Sequence, residues 1–90
     1  MPQVNFTSAL KRFFPSLQDS LLEGESVRDI LNNLEKHYPG LCSYLLEEDG
    51  SLRKHVNIYI GENLIQDRQK LSDQLDKEDE VLIFQALSGG

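Results

Sequence analysis

The stretch SVRDILNNLEKHYPG, residues 26–40, constrains the fold most, because it is the clearest helix in the chain. Ser26 occupies the N-cap position, Asp29 follows three residues later as in a capping box, and Pro39-Gly40 ends the helix. A helix with one apolar face has to bury that face against another layer. The apolar residues recur at i, i+3, i+4 and i+7 and therefore share such a face: Val27, Ile30, Leu31 and Leu34.

Short strands are predicted on both sides of this helix. In PQVNFTSAL, Val4 and Phe6 alternate with polar residues, which is typical of a half-buried strand. KRFFPS interrupts this strand, and LQDSLLEGE is predicted to return as a short antiparallel strand that ends at Gly24. After a short helical turn in LCSYLL and a turn in EEDGS, HVNIYIGENLI alternates again and turns at residues 61–63.

The last apolar segment, VLIFQAL, follows a polar connector that Leu71 and Leu75 are expected to pin to the core. Because VLIFQAL is apolar almost without interruption, it is predicted to be a central strand that is covered on both faces. The simplest packing is an α+β domain over residues 1–85, with one main helix across one face of a mixed sheet of four to five strands. This is the layout of a β-grasp, or ubiquitin-like, domain.

One face of the predicted sheet has no helix to cover it. If the inward side chains of the strands point at the helix, then Tyr59, Leu82 and Phe84 point the other way. An apolar patch that stays exposed on a soluble domain usually marks a binding surface. The alternative is that the segment KRFFPS folds over this patch.

The segment ALSGG, residues 86–90, is predicted to be a flexible tail beyond the last strand. Five extended residues span up to about 17 Å, which would carry a carboxylate on Gly90 into the cleft of a partner. Glycine has no Cβ, so Gly89 and Gly90 would let a narrow channel close around the backbone. The alternative is an inert, solvated end.

The charge balance argues against several classes of partner. With 15 acidic and 9 basic side chains the net charge is -6, and the basic residues are scattered, so nucleic acid is not expected to bind. A basic protein surface is the better electrostatic complement. No apolar run approaches the ~18 residues of a membrane span, so no membrane contact is expected. A lone cysteine without a signal peptide predicts a cytoplasmic location.

The remaining reactive side chains do not form a site of their own. His37 and His55 lack a Cys or His at metal-ligand spacing, so no metal is expected. Cys42 lies in an apolar segment and is predicted to be a core residue rather than a nucleophile. No glycine-rich phosphate loop is present, so the chain is not expected to bind ATP or any other cofactor itself.

The closing DEVLIFQALSGG resembles the last strand and double-glycine tail of the MoaD/ThiS family of ubiquitin-like sulfur-carrier proteins. GESVRDILNNLEKHYPGL is similar to the helix of that family, and EDGSLRKHVNIYIGENLI is similar to its middle strand. The resemblance therefore covers nearly the whole chain, with the double glycine as its specific element.

This resemblance implies a carrier rather than an enzyme. An E1-like adenylyltransferase/sulfurtransferase would use ATP to adenylate the carboxylate of Gly90. Sulfur would then replace AMP, and the resulting thiocarboxylate would donate its sulfur in a biosynthetic reaction. The residues that would bind the partner enzyme are, in this sequence, Gly89, Ser88, Leu87, Phe84, Tyr59 and Leu82.

The resemblance leaves the sulfur acceptor open. SLRKHVNIYIGENLI looks most like the carriers for cysteine biosynthesis, whose acceptor is a PLP-dependent cysteine synthase. Small subunits of molybdopterin synthase, which pair with a large subunit in molybdenum cofactor biosynthesis, share the tail, and so do thiamin carriers. Two other readings are a ubiquitin-like modifier conjugated to lysines through Gly90, and a non-catalytic β-grasp interaction module.

Overall fold

A computed structural model describes residues 1–85, and the predicted tail, residues 86–90, lies outside that part. The described elements are, in chain order, β1 (Gln3–Phe6), α1 (Ser8–Phe13), β2 (Ser20–Leu21), α2 (Val27–His37), α3 (Leu41–Leu45), β3 (Val56–Ile60), β4 (Asn63–Leu64) and β5 (Glu80–Gln85). The five strands form one mixed sheet in the order β2-β1-β5-β3-β4. The α+β architecture with a mixed sheet is therefore confirmed.

Strand β5 lies at the centre of the sheet, as its apolar sequence predicts. The prediction that it is covered on both faces was wrong, because Leu82 is only half-buried and Phe84 is exposed. The strand runs parallel to β1, with Val81 beside Val4, and antiparallel to β3, with Ile83 beside Ile58. Strands β2 and β4 pair antiparallel with β1 and β3, so the two shortest strands form the edges. Both sides of β5 are thus hydrogen-bonded, which fixes the place where the chain leaves the sheet.

Helix α2 starts where its sequence predicts, because Ser26 caps it. The Ser26 Oγ accepts a hydrogen bond from the backbone N–H of Asp29 at 3.2 Å. The capping box is incomplete, since the Asp29 carboxylate accepts from the N–H of Glu25 at 3.1 Å rather than from that of Ser26. The predicted apolar face of α2 is fully buried against the inward side chains of the sheet: Val4, Phe6, Val56, Ile58, Val81 and Ile83.

The polar connector before β5 completes the start of α2. The N–H of Val27 donates to the carbonyl of Asp73, and the N–H of Arg28 donates to the carbonyl of Leu71. Leu71 is fully buried and Leu75 nearly so, which confirms both as apolar pins. The backbone groups that a helix leaves free in its first turn are therefore satisfied by a segment that is distant in sequence.

The sequence analysis predicts no helix near KRFFPS, but the first three residues of that segment lie in a short helix, α1, which begins at Ser8. Helix α1 has six residues and no side-chain cap. A helix this short is marginal on its own, so tertiary packing decides it, and Leu10 is fully buried in the core.

The predicted second strand is also shorter than expected. Strand β2 ends at Leu21, three residues before Gly24, so glycine does not terminate it. Gly24 instead permits close packing, since a Cβ at this position would lie 2.8 Å from Cδ1 of the fully buried Ile30.

Candidate partner-binding surface

The sheet face that points away from α2 carries an apolar patch, called the outer face here, which consists of Leu64, Tyr59, Leu82 and Phe84. Leu82 lies between Asn5 on β1 and Tyr59 on β3. Leu64 on β4 extends this row beyond Tyr59, and Phe84 lies two residues further along β5. The short strands thus bring together side chains that are up to 25 positions apart in the sequence (59 to 84).

The side chains of the outer face are solvent-accessible. Phe84 is 37% exposed and Leu64 is 52% exposed, while Tyr59 and Leu82 are half-buried. None of the four belongs to the buried core or is packed against it. The predicted orientation of Tyr59, Leu82 and Phe84 is therefore what the structure shows, whereas their role in binding stays a prediction.

Leu64 was missed by the sequence analysis because the turn was placed at residues 61–63. In the structure Ile60 lies opposite Asn63, so only Gly61 and Glu62 connect the strands. Gly61 has a φ of 62°, a conformation that glycine adopts at little cost. A two-residue hairpin at this glycine would have placed Leu64 beside Tyr59.

Helix α1 does not cover the outer face. Leu10 is part of the core on the helical side, and Phe14 packs edge-on against Tyr38 and Tyr44, with ring centroids 6.2 and 6.0 Å apart. Tyr38 follows α2 and Tyr44 lies on α3. Because α1 joins the helical layer, the alternative in which KRFFPS folds over the patch is wrong.

The described part of the chain ends at the rim of the outer face. Gln85 lies opposite Val56 on β3, and the preceding residue is Phe84. A protein that covers the outer face would therefore meet the chain where residue 86 begins. The other predicted site residues, namely Leu87, Ser88, Gly89 and Gly90, lie outside the described residues.

Charges are unequally distributed over the two ends of the sheet. Lys54 and His55 are exposed just before β3, beside the end of β5. At the opposite end lies an open groove of about 1020 Å³, which is lined by residues of α2 and of the connector. Its charged lining is mostly acidic and comprises Glu23, Glu25, Asp29, Asp76 and Glu78, with Lys36 and Lys77.

The only cysteine is not set up as a nucleophile. Burial and the nearby Glu35 carboxylate raise the pKa of the Cys42 thiol to about 11. Its Sγ donates to the carbonyl of Leu31 at 3.4 Å, and the thiol stays protonated at neutral pH. Glu35 accepts from the backbone N–H groups of Gly40 and Cys42, which lower the pKa of its carboxyl group.

Residues 1–85 contain no group of three His, Cys, Asp or Glu side chains that could hold a metal ion. None of their helices is long and apolar enough to cross a membrane.

The fold is that of β-grasp, ubiquitin-like proteins. The protein from the Amycolatopsis orientalis BexX/CysO complex is similar with a TM-score of 0.83 at 20% identity, over the full length of both chains. Mycobacterium tuberculosis CysO gives 0.81 at 21% identity, over 97% of this chain and all of the other. The small archaeal modifier protein 1 of Methanosarcina acetivorans gives 0.78 at 29% identity, over 98% and 94% of the two chains.

The chain belongs to the ThiS family, whose sequence model matches residues 4–90. Among its relatives is the small archaeal modifier protein 3 of Haloferax volcanii, which is 34% identical over 65 residues, or 72% of this chain and 70% of that protein. The resemblance to ubiquitin-like sulfur carriers is thereby confirmed at the level of the family.

Proposed function

We propose that this protein is a sulfur carrier whose Gly90 carboxylate is adenylated by an E1-like enzyme and then converted to a thiocarboxylate. The observation that carries the proposal is that the family match extends through the double glycine to residue 90. The exposed outer face supports it, because a carrier needs a surface through which its partners hold it.

The chemistry requires a partner because a carboxylate is a poor electrophile. Transfer of AMP from ATP releases pyrophosphate and leaves an acyl adenylate, in which AMP is a good leaving group. A sulfur nucleophile delivered by the partner then displaces AMP, and the carbonyl carbon of Gly90 ends bonded to sulfur. This thiocarboxylate is ionised at neutral pH and polarizable, so it is itself a nucleophile toward the next substrate.

The carrier's own contribution is positioning. The outer face and β5 form a rigid platform, and the chain leaves β5 at Gln85. Five residues then remain, with a reach of about 17 Å when extended. Docking through Phe84, Tyr59 and Leu82 would hold the start of this segment at the mouth of the adenylating site.

The sulfur acceptor belongs to the same proposal. The candidates are a PLP-dependent cysteine synthase and the large subunit of molybdopterin synthase, and the segment SLRKHVNIYIGENLI favours the first. Incubating the thiocarboxylated protein with each synthase and its substrate would distinguish them, because only the true acceptor consumes the thiocarboxylate, which the intact mass of the protein would show.

Pyrophosphate exchange with the E1-like enzyme of the same organism tests the adenylation step. The wild-type protein should support exchange of labelled pyrophosphate into ATP. A variant with one alanine added after Gly90 should not, since the extra side chain displaces the reacting carboxylate. A matched control carries one alanine before Met1 and should behave as the wild type. Exchange at the wild-type rate with the C-terminal extension, intact by mass, would exclude Gly90 as the activated residue.

A second function, conjugation to other proteins, is supported by the likeness to a small archaeal modifier protein. In that case Gly90 would form an isopeptide bond with a lysine of a target. Trypsin would cut after Lys77 and leave residues 78–90 attached to that lysine. Finding such branched peptides, and losing them when Gly90 is deleted, would support conjugation.

A further inference from the structure

Arg68, in the segment after β4, holds its guanidinium against the open edge of β3. Its Nη2 donates to the carbonyl oxygens of Arg53 and Val56, at 2.8 and 2.9 Å. Strand β4 is only two residues long and pairs with the far end of β3, so it leaves this edge free. The guanidinium therefore bonds the Val56 carbonyl, which a longer β4 could have bonded, and also the Arg53 carbonyl, which already accepts from the N–H of Val56.

The same guanidinium reaches the rim of the outer face. Its Nη1 donates to Oδ1 of Asn57 at 2.9 Å, and Asn57 lies opposite Phe84 in the sheet. Val56 lies opposite Gln85, where β5 ends. Arg68 is thus placed beside both the apolar patch and the point at which the chain leaves the sheet.

No carboxylate of residues 1–85 neutralises Arg68. Its three acceptors are all uncharged, and the ion pairs in this part of the chain are Lys11–Asp19 and Arg53–Glu47. A guanidinium carries five N–H groups, so three bonds leave two of them for another acceptor. In a chain of net charge -6, Arg68 is thus a half-buried cation whose hydrogen-bond acceptors are all neutral.

We propose that Arg68 receives a carboxylate of the protein that covers the outer face. The proposal rests on the proposed function, in which that protein is the E1-like enzyme. An apolar patch supplies contact area but little directionality, whereas a guanidinium held in one plane binds a carboxylate in a defined orientation. Arg68 would set the rotation of the carrier on its partner, so that the chain leaving Gln85 points into the active site.

Arg28 provides a matched control for the structural role of these bonds. Its guanidinium also donates to backbone carbonyls, those of Gly50 at 3.0 Å and Lys70 at 3.3 Å, but it projects from α2 on the helical side. Arg28→Gln therefore removes a comparable set of bonds away from the outer face.

Steady-state adenylation by the E1-like enzyme distinguishes recognition from structure. Arg68→Gln should raise the KM for the carrier about tenfold, because a charge pair at a rim is lost, and should leave kcat within about twofold. Arg28→Gln should leave both parameters near the wild type. Added salt should raise the KM of the wild type more than that of Arg68→Gln. Arg68→Lys keeps the charge but not the planar guanidinium, so its KM should lie between those of the wild type and Arg68→Gln. It also serves as the test variant if Arg68→Gln does not fold.

The outcomes separate the two proposals. If the wild-type protein is not adenylated, the proposed function is wrong and the role of Arg68 falls with it. If the wild type is adenylated, the test is whether Arg68→Gln differs from it in KM and salt dependence; Arg68→Lys takes its place if Arg68→Gln does not fold. If the variant behaves like the wild type or like Arg28→Gln, only the assignment of Arg68 is overturned.

Discussion

At the scale of single residues, one carboxylate organises the connector that precedes β5. Asp67 accepts hydrogen bonds from the backbone N–H groups of Gln69, Lys70 and Ser72, and from the Ser72 hydroxyl. These bonds lower the pKa of the Asp67 carboxyl group to about 2. They also hold the segment in which Leu71 adopts a positive φ of 59°, which is unusual for a residue with a side chain.

The first prediction concerns the acid stability of the fold. Since the pKa of Asp67 is lower in the folded chain than in the unfolded one, its ionised form stabilises the fold. This stabilisation is present above about pH 4 and is lost as the pH falls towards 2. We expect Asp67→Asn to have a lower Tm than the wild type at pH 7, and the difference to shrink as the pH falls through this window.

Glu48→Gln is the control for that measurement, because Glu48 is exposed and accepts no hydrogen bond from residues 1–85. The Tm of Glu48→Gln should equal that of the wild type at pH 7 and at pH 2. Two results would contradict the role given to this carboxylate: an Asp67→Asn variant with the Tm of the wild type at pH 7, or one whose Tm lies as far below the wild type at pH 2 as at pH 7.

At the scale of elements, the start of α2 is held by its own cap and by the connector. The second prediction is that Ser26→Ala lowers the free energy of unfolding by about 1 kcal/mol, the usual cost of losing an N-cap. Chemical denaturation measures this loss. Ser8→Ala, at the exposed and uncapped start of α1, should change stability by no more than about 0.5 kcal/mol. Equal losses in the two variants would mean that the connector alone caps α2.

The elements that the sequence predicts well are those with a local signal. The apolar spacing in α2 and the alternation in β3 reflect burial of the same residues in the structure, whereas in the apolar run of β5 only Val81 and Ile83 are buried. Helix α1 escaped prediction because its stability comes from the burial of Leu10 and the edge-on packing of Phe14 against tyrosine rings, which are tertiary contacts.

The outer face was predictable only in part, for a similar reason. Alternation along a strand assigns Tyr59, Leu82 and Phe84 to the side away from the helix. The position of Leu64 beside Tyr59, in contrast, depends on the register of a hairpin. The placement of Arg68 depends on the length of β4, since only a short edge strand leaves carbonyls for it to bind. Side chains that satisfy backbone groups of a distant element leave no pattern in the sequence.

At the scale of the whole molecule, the sheet separates a side covered by helices from a side with exposed apolar side chains. The helical layer buries one face, and the other face presents the apolar patch next to the end of β5. The third prediction is that Phe84→Ala weakens binding to the E1-like enzyme at least tenfold, as loss of an aromatic anchor does. Because Phe84 lies outside the core, the loss in unfolding free energy should stay below about 1 kcal/mol.

Phe13 offers a matched control for this prediction, since it is 53% exposed but lies on α1, in the helical layer. Phe13→Ala should leave binding unchanged, which calorimetric titration of both variants would establish. A stability loss of about 3–5 kcal/mol for Phe84→Ala would instead identify Phe84 as a core residue. Equal binding losses in both variants would show that the outer face is not the specific contact.

The intact mass of the protein after reaction with its E1-like enzyme, ATP and a sulfur donor tests the central claim most directly. A sulfur carrier should gain the mass that corresponds to one oxygen replaced by sulfur. Fragmentation should place this change on the peptide that ends at Gly90, and omitting ATP should abolish it. If an enzyme that adenylates the protein leaves its mass unchanged in the presence of the sulfur donor, the carrier function proposed here is contradicted.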